Sequence, residues 1–231
     1  MKIMSFNTQH CLNFITQEID YEIMAKTIND YGAEIVGLNE MYSEGKGLLD
    51  QASELSRLTG LKHHYFAEAV SLEEDGRPYG NALLSKNKIL EVKTIKIPDP
   101  VPRKYNGYYE TRCILKARLE NGITVLVVHF GLNPDEQENA VKAILENIES
   151  KKCILMGDFN VPPTSEVLLP IREKMVDTAT LMTDAGLSWP SDNPKLKIDY
   201  IFVSPDMKIN SAKVLPVIAS DHRPHVAEIE L

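Results

Sequence analysis

Cysteine is scarce in this chain. Three cysteines among 231 residues, at positions 11, 113 and 153, are too few and too scattered for a disulfide framework. That excludes a small stapled scaffold and fits a reducing compartment. No run approaches the roughly 20 apolar residues of a membrane-spanning helix. The opening "MKIMSFNTQHCLNF" turns polar at residue 5, with neither an apolar h-region nor a small-residue cleavage site, so no signal peptide is predicted. A basic excess is missing too: 25 Lys and Arg stand against 33 Asp and Glu, a formal net charge of -8. This balance argues against a protein that grips long nucleic acid through many phosphates, although a local basic cluster is compatible with it. There is no repeat, no low-complexity tract and no linker. With 43% hydrophobic residues the chain can fill one sizeable core, and a single domain over 1–231 is expected, soluble and cytoplasmic.

What is present is a series of short apolar runs, each ending at a polar residue. Strands are predicted at 2–6, 34–39, 63–70, 81–86, 111–119, 123–128, 153–157, 198–204, 209–216 and 225–230, with a weaker edge element at 88–97. Helical spacing predicts helices over 18–31 and 48–59, closed by Gly32 and Gly60. The clearest helix is "PDEQENAVKAILENIES", 134–150, with Val141, Ile144, Leu145 and Ile148 on one face and Pro134 near its start. "ENG" at 120–122 reads as a tight turn, and 98–110, "PDPVPRKYNGYYE", as a loop. Turns and short helices are expected across 162–195. Strands outnumber helices, and 111–128 and 198–216 look like antiparallel pairs. The expected fold is α/β: two sheets face to face with helices outside, rather than one doubly wound parallel sheet.

The polar residues at the strand ends carry the chemistry. Strand 2–6 meets Asn7, 34–39 meets Glu40, 123–128 meets His129, and 153–157 runs into Asp158 and Asn160 of "GDFN". Asp199 opens "DYIFVS", and "SDHRPH" brings Asp221 and His222 before the last strand. Each has a plain reading when taken singly. Glu40 reads as a solvated loop residue or a cap, Asn7 as a turn former, and His129 as a satisfied buried histidine. Asp158 with Asn160 reads as an Asx turn before Pro162 and Pro163, and "SDHRPH" as a polar turn. Asp199 is harder to set aside, because an acid directly before "YIFV" faces burial and needs a partner. Five or six such endings in one domain suggest the rim of a cleft. Carboxylate and amide oxygens suit Mg2+ or Mn2+, with Glu40 as the main anionic ligand and Asn7 adding or orienting an oxygen. Two histidines with acidic partners can steady phosphoryl charge or handle a proton. If the backbone stays extended, Asp158 and Asn160 face one volume and serve one water and one phosphate.

At this point the chain resembles the endonuclease/exonuclease/phosphatase superfamily, with its deoxyribonuclease-I-like fold. The stretches that carry the likeness are "MSFNTQH", "IVGLNEM", "YGNALLSK", "ETRCILKARL", "VVHF", "ILMGDFNVPP", "KIDYIFVS" and "SDHRPH". They occur in the family order and span almost the whole chain. The resemblance implies a four-layer α/β/β/α fold and metal-dependent phosphoester hydrolysis. It matches Asn7 and Glu40 to the early asparagine and the metal-binding glutamate, and His129 to the first active-site histidine. Asp158 and Asn160 match the central acid and amide, and Asp199 the acid paired with the terminal histidine, His222. Asp221 matches the acid placed near the metal. Asn81 and Arg112 match supporting or phosphate-contacting residues.

The chain also departs from the family pattern. A glutamine usually precedes the glutamate, and here the residue is Asn39, an amide of shorter reach. His10 and Cys11 follow the first motif where many relatives differ, and either is a candidate pocket residue. A zinc site from His10, Cys11 and Cys113 is the competing metal reading, while Cys153 is read as core.

The expected activity is hydrolysis of a phosphodiester, with nucleic acid or a nucleotide-like compound among the candidate substrates and phosphomonoester hydrolysis on a small or lipid-like phosphate as the alternative. The loop 98–110 reads as solvated, or as a substrate wall through Arg103, Lys104, Tyr105, Tyr108 and Tyr109. A serine hydrolase built from Ser220, His222 and Asp199 lacks a G-x-S-x-G elbow. A non-catalytic binding protein would lack part of the polar set, which here is complete. No protein partner is indicated.

Overall fold

The computed structural model describes residues 1–43, 50–71 and 76–231. Its strands are β1 (Lys2–Asn7), β2 (Ile35–Tyr42), β3 (His63–Ser71), β4 (Pro78–Ser85), β5 (Ile89–Lys96) and β6 (Cys113–Leu119). They continue with β7 (Thr124–His129), β8 (Cys153–Asp158), β9 (Val176–Asp177), β10 (Asp199–Val203), β11 (Lys208–Val214) and β12 (His225–Glu230). The helices are α1 (Tyr21–Tyr31), α2 (Gln51–Thr59), α3 (Pro134–Leu145) and the short α4 (Leu169–Arg172).

Two six-stranded sheets form, ordered β11-β12-β1-β2-β4-β3 and β5-β6-β7-β8-β10-β9. Each sheet contains one parallel pair, β1 with β2 and β7 with β8, and its other pairings are antiparallel. The connections explain this. β1 reaches β2 through α1, and β7 reaches β8 through α3, because a parallel neighbour needs a crossover.

Alternation along each central strand divides its side chains between two apolar layers. On β7, Val125 and Val127 enter the layer between the sheets, while Leu126 and Val128 face α3. On β1, Ile3 enters that same central layer, while Met4 and Phe6 pack beneath α1 and α2. With both faces buried, these strands are the near-continuous apolar runs visible in the sequence. The result is α/β/β/α.

Several boundaries move for local reasons. The first helix begins at Tyr21 rather than at 18, because the Asp20 side chain accepts the Ile23 N–H as its cap. Gly32 and Gly60 do close α1 and α2 in the left-handed conformation. Residues 48 and 49 of the expected second helix lie outside the described residues, as do 72–75 of the turn before β4. The third helix ends at Leu145, short of 150. The expected antiparallel pairing within 198–216 does not form. β10 pairs with β8 in one sheet and β11 with β12 in the other, so the segment crosses between layers.

The consequence for chemistry is geometric. The two crossover units send the C-terminal ends of β1, β2, β7 and β8 to one edge of the sandwich. Asn7 lies beside Asn39 in register, and His129 beside Asp158, while antiparallel β10 starts with Asp199 opposite Asp158.

Candidate active site

Gly157 allows the tight approach at this edge. Its φ is +148°, and a Cβ there would sit 1.8 Å from the Val128 carbonyl oxygen on β7. The next residue, Asp158, is 1% exposed. Its Oδ1 accepts the Asn160 N–H at 2.9 Å, the Asx turn that the sequence offered as the plain alternative. Its Oδ2 faces three groups: Asn7 Nδ2 at 3.1 Å, His129 Nε2 at 3.6 Å and His222 Nε2 at 3.6 Å. Turn and polar centre are therefore the same residue, one oxygen for each.

The other site positions surround that oxygen. Asn7 also donates from Nδ2 to Glu40 Oε1 at 2.9 Å, and its Oδ1 accepts the Gln9 N–H at 3.1 Å. Asn7 thus faces the acids with its amide nitrogen, orienting Glu40 rather than offering an oxygen. Glu40 is not a strand end as expected. β2 runs on to Tyr42, and Glu40 sits at a bulge where the register with β4 shifts between Leu38 and Met41. Its φ of +57° turns the side chain toward Asn7. Burial, together with the nearby charge of Asp221, raises the Glu40 carboxyl above its ordinary range, against the hydrogen bond from Asn7.

The terminal histidine has its expected partner. His222 Nδ1 lies 2.8 Å from Asp199 Oδ2. Burial alone would lower its pKa, but the Asp199 and Asp158 carboxylates overcome this and push it up to about 10. Asp158 is pushed up to about 7, by burial and by Asp199 against the counteracting charge of His222. The directions describe a held imidazolium beside a carboxylate more basic than a free one. The remaining oxygen, Asp199 Oδ1, is buried without a hydrogen-bond partner among the described residues.

His129 departs from expectation. Its Nδ1 meets Arg112, whose Nη1 lies 2.8 Å away, while an acid, Asp158, faces only its Nε2 at 3.6 Å. Burial first, then the positive Arg112 and His222, hold its pKa well below the usual value. Arg112 is 9% exposed and also pairs with Glu110 at 2.7 Å, so its Nη1 is turned inward rather than toward an incoming phosphate.

Asn81 is likewise internal. Its Oδ1 accepts from Asn39 at 2.7 Å and its Nδ2 donates to the Cys113 carbonyl at 3.0 Å, which makes it a brace and not a phosphate contact. Asn160 leaves the extended conformation at φ +51° and donates from Nδ2 to the Phe130 carbonyl. It therefore does not share the direction of Asp158 through extended backbone. Phe159 between them is buried against Phe130, Tyr200 and Phe202.

Asn39, at the position of the longer amide, uses its whole side chain. Its Nδ2 reaches Asn81 and, at 2.9 Å, the Val128 carbonyl, while its Oδ1 accepts the Asp158 N–H at 3.0 Å. Residues without a sequence signal also contribute. Glu110 anchors Arg112, Lys197 Nζ donates to the Asp199 carbonyl at 3.0 Å, and Trp189 Nε1 reaches Asp221 Oδ2 at 3.4 Å. Glu110 and Lys197 lie at the starts of "ETRCILKARL" and "KIDYIFVS" with nothing in the spacing to mark them, and the sole tryptophan had no spacing that marked it.

Two competing readings fall. Ser220 Oγ donates to Asp221 Oδ1, while His222 presents Nε2 to Asp158, so no serine triad assembles. Cys11, Cys113 and Cys153 are buried in three different apolar clusters, and no zinc site joins Cys11 to Cys113. The 98–110 loop docks on the start of α3 through Tyr109 Oη and Asp135, leaving Tyr105 and Tyr108 exposed.

Asp158, Asp199 and His222 each bring a ligand atom within 4.8 Å of the others, close enough to hold one divalent metal ion. The profile of the family described as endonuclease/exonuclease/phosphatase matches residues 4–222. The chain belongs to that family. Among solved structures, an endonuclease/exonuclease/phosphatase from Beutenbergia cavernae DSM 12333 aligns with a TM-score of 0.83 at 21% identity, covering 100% of this chain and 71% of that one. The mannosyl-6-phosphatase of Bacteroides thetaiotaomicron VPI-5482 gives 0.78 at 16%, covering 100% of both chains. The human Nocturnin catalytic domain with bound sulfate gives 0.71 at 18%, covering 100% of this chain and 93% of that one. At these identities the likeness is one of fold. No curated protein sequence matches. Family membership and the clustered acids and histidine support metal-dependent phosphoester hydrolysis. No helix among the described residues is long and apolar enough to cross a membrane.

Proposed function

We propose that the chain, acting as one catalytic domain, hydrolyses a phosphodiester with Mg2+ or Mn2+. The observation that carries this is the convergence of Asn7, His129 and His222 on one oxygen of a buried carboxylate, Asp158 Oδ2. An acid whose pKa is raised is suited to take a proton from an attacking water. His222, held cationic by Asp199, and His129 supply N–H groups to phosphoryl oxygens as charge develops. Asn160 fixes the turn that aims Asp158.

The metal fits Glu40 with Asp221 better than the Asp158, Asp199 and His222 grouping. His222 Nδ1 and Asp199 Oδ2 are already joined to each other, and a hard ion prefers oxygen donors. The charge of Asp221 makes Glu40 costlier to ionise, and a cation beside the two relieves it. When bound there, a divalent ion supplies charge neutralisation at a phosphoryl oxygen and the leaving group. Three free, buried cysteines favour a reducing, cytoplasmic setting.

The test is a metal-supplemented panel: plasmid DNA, oligonucleotides, RNA, bis-para-nitrophenyl phosphate, and monoesters including sugar phosphates. Turnover of diesters, abolished in EDTA and lost in Asp158→Ala, supports the proposal. Turnover of monoesters alone replaces it with a phosphatase. Hydrolysis at the wild-type rate by Asp158→Ala overturns the assignment of residues.

A further inference from the structure

His129 and His222 present the same nitrogen, Nε2, to the same oxygen at the same 3.6 Å, yet their far nitrogens meet opposite partners. His222 Nδ1 faces a carboxylate at 2.8 Å, and His129 Nδ1 faces a guanidinium at 2.8 Å. These partners impose different hydrogen positions. A carboxylate only accepts, so His222 carries a hydrogen on Nδ1. A guanidinium only donates, so His129 Nδ1 carries the lone pair, and the ring hydrogen resides on Nε2. Arg112 is held in place, being buried and ion-paired with Glu110 at 2.7 Å. A proton added at His129 Nδ1 would set N–H against N–H.

We infer that Arg112 is a positioning residue: it fixes His129 as the Nε2–H tautomer, a neutral donor aimed at the phosphate. Glu110 acts one step further out by holding the guanidinium. The inference rests on the phosphodiesterase reading for its purpose, though not for its geometry. It divides labour between two histidines that the sequence presents as equivalent. His129 offers one fixed hydrogen bond to an oxygen on which charge accumulates, whereas His222 takes its orientation from Asp199. It also places Arg112 behind the site and out of contact with substrate.

The experiment is a two-bond 1H–15N correlation spectrum of the full chain labelled at its six histidines, with His129 assigned through His129→Gln. Near neutral pH, wild type is expected to show His129 with a protonated Nε2 and a bare Nδ1. Arg112→Met removes the donor and is expected to give mixed tautomers at His129. Its kcat toward bis-para-nitrophenyl phosphate should fall on the order of tenfold to a hundredfold, with KM little changed. Arg112→Lys, which restores a donor, should recover part of both the spectrum and the rate. Should Arg112→Met fail to fold, the wild-type spectrum and Glu110→Gln, expected to loosen the tautomer partway, still decide. A doubly protonated His129, an Nδ1–H tautomer, or an Arg112→Met spectrum identical to wild type overturns the inference. The expected spectrum in a wild-type protein that hydrolyses nothing upholds the pairing and sinks the phosphoesterase reading instead.

Discussion

Asn39 Oδ1 accepts the backbone N–H of Asp158 at 3.0 Å, joining the middle of one sheet to the end of a strand in the other. The same amide donates to Asn81 and to the Val128 carbonyl, so one fully buried side chain locks the depth of the site between the layers. Asn39→Leu leaves a donor and two acceptors unpartnered in the interior, at about 1–3 kcal/mol for each unsatisfied group. We expect a loss of several kcal/mol, read as a lower urea midpoint, and a fall in kcat as Asp158 loses its anchor. Asn39→Gln keeps the amide and adds one methylene to a packed layer, at a cost of about 1–3 kcal/mol. A leucine variant as stable as wild type would remove this amide from the account.

Asp158→Asn separates chemistry from folding. An asparagine oxygen can still accept the Asn160 N–H, so the turn survives. What disappears is a buried carboxylate of raised pKa. Hydrolysis should fall by about a hundredfold to ten-thousandfold, the usual contribution of a positioned acid or base. The thermal midpoint should fall modestly, because the asparagine Nδ2 meets the Asn7 and histidine N–H groups that now face Oδ2. A large drop in the midpoint with little change in rate would make Asp158 a structural acid.

Much of the site was legible because it sits at strand ends, where an apolar run stops at an acid, an amide or an imidazole. Asp199 was the clearest instance, since burial before "YIFV" demanded a partner, and His222 provides it at 2.8 Å. The partner of His129 was not legible. Arg112 lies 17 residues away, immediately before β6, and only the pairing of β6 with β7 brings them together. The bulge at Glu40 was not legible, because a register shift depends on β4 as much as on β2. The crossing of 198–216 between layers was missed for a similar reason: two neighbouring strands look like a hairpin until their separate partners, β8 and β12, are known.

Glu40→Gln tests the metal position. The substitution keeps an oxygen near Asn7 Nδ2 and removes the negative charge. Loss of one anionic ligand should raise the Mg2+ concentration for half-maximal rate by at least about tenfold, equivalent to ~1.4 kcal/mol. Titration with Mn2+, followed by electron paramagnetic resonance, gives the same affinity without turnover. Unchanged Mn2+ affinity would move the ion away from Glu40 and toward Asp158 and Asp199.

His225 makes the stability of the fold depend on pH. The ring is fully buried, with Nδ1 at 3.2 Å from the Asp199 carbonyl and Nε2 at 3.0 Å from Thr178 Oγ1. A carbonyl must accept, so Nδ1 carries the hydrogen, and the hydroxyl can then donate to Nε2. Burial, followed by the charge of nearby Lys197, lowers its pKa from 6.5 to about 3. Between these values the unfolded chain binds a proton that the folded chain refuses, so the contribution is complete above about pH 6.5 and is lost on acidification toward about pH 3. The loss proceeds at up to ~1.4 kcal/mol per pH unit. Urea unfolding at a series of pH values should show this slope in wild type and a slope shallower by one proton in His225→Gln, which keeps a neutral amide between the same partners. Parallel slopes would mean that His225 accepts its proton inside the fold.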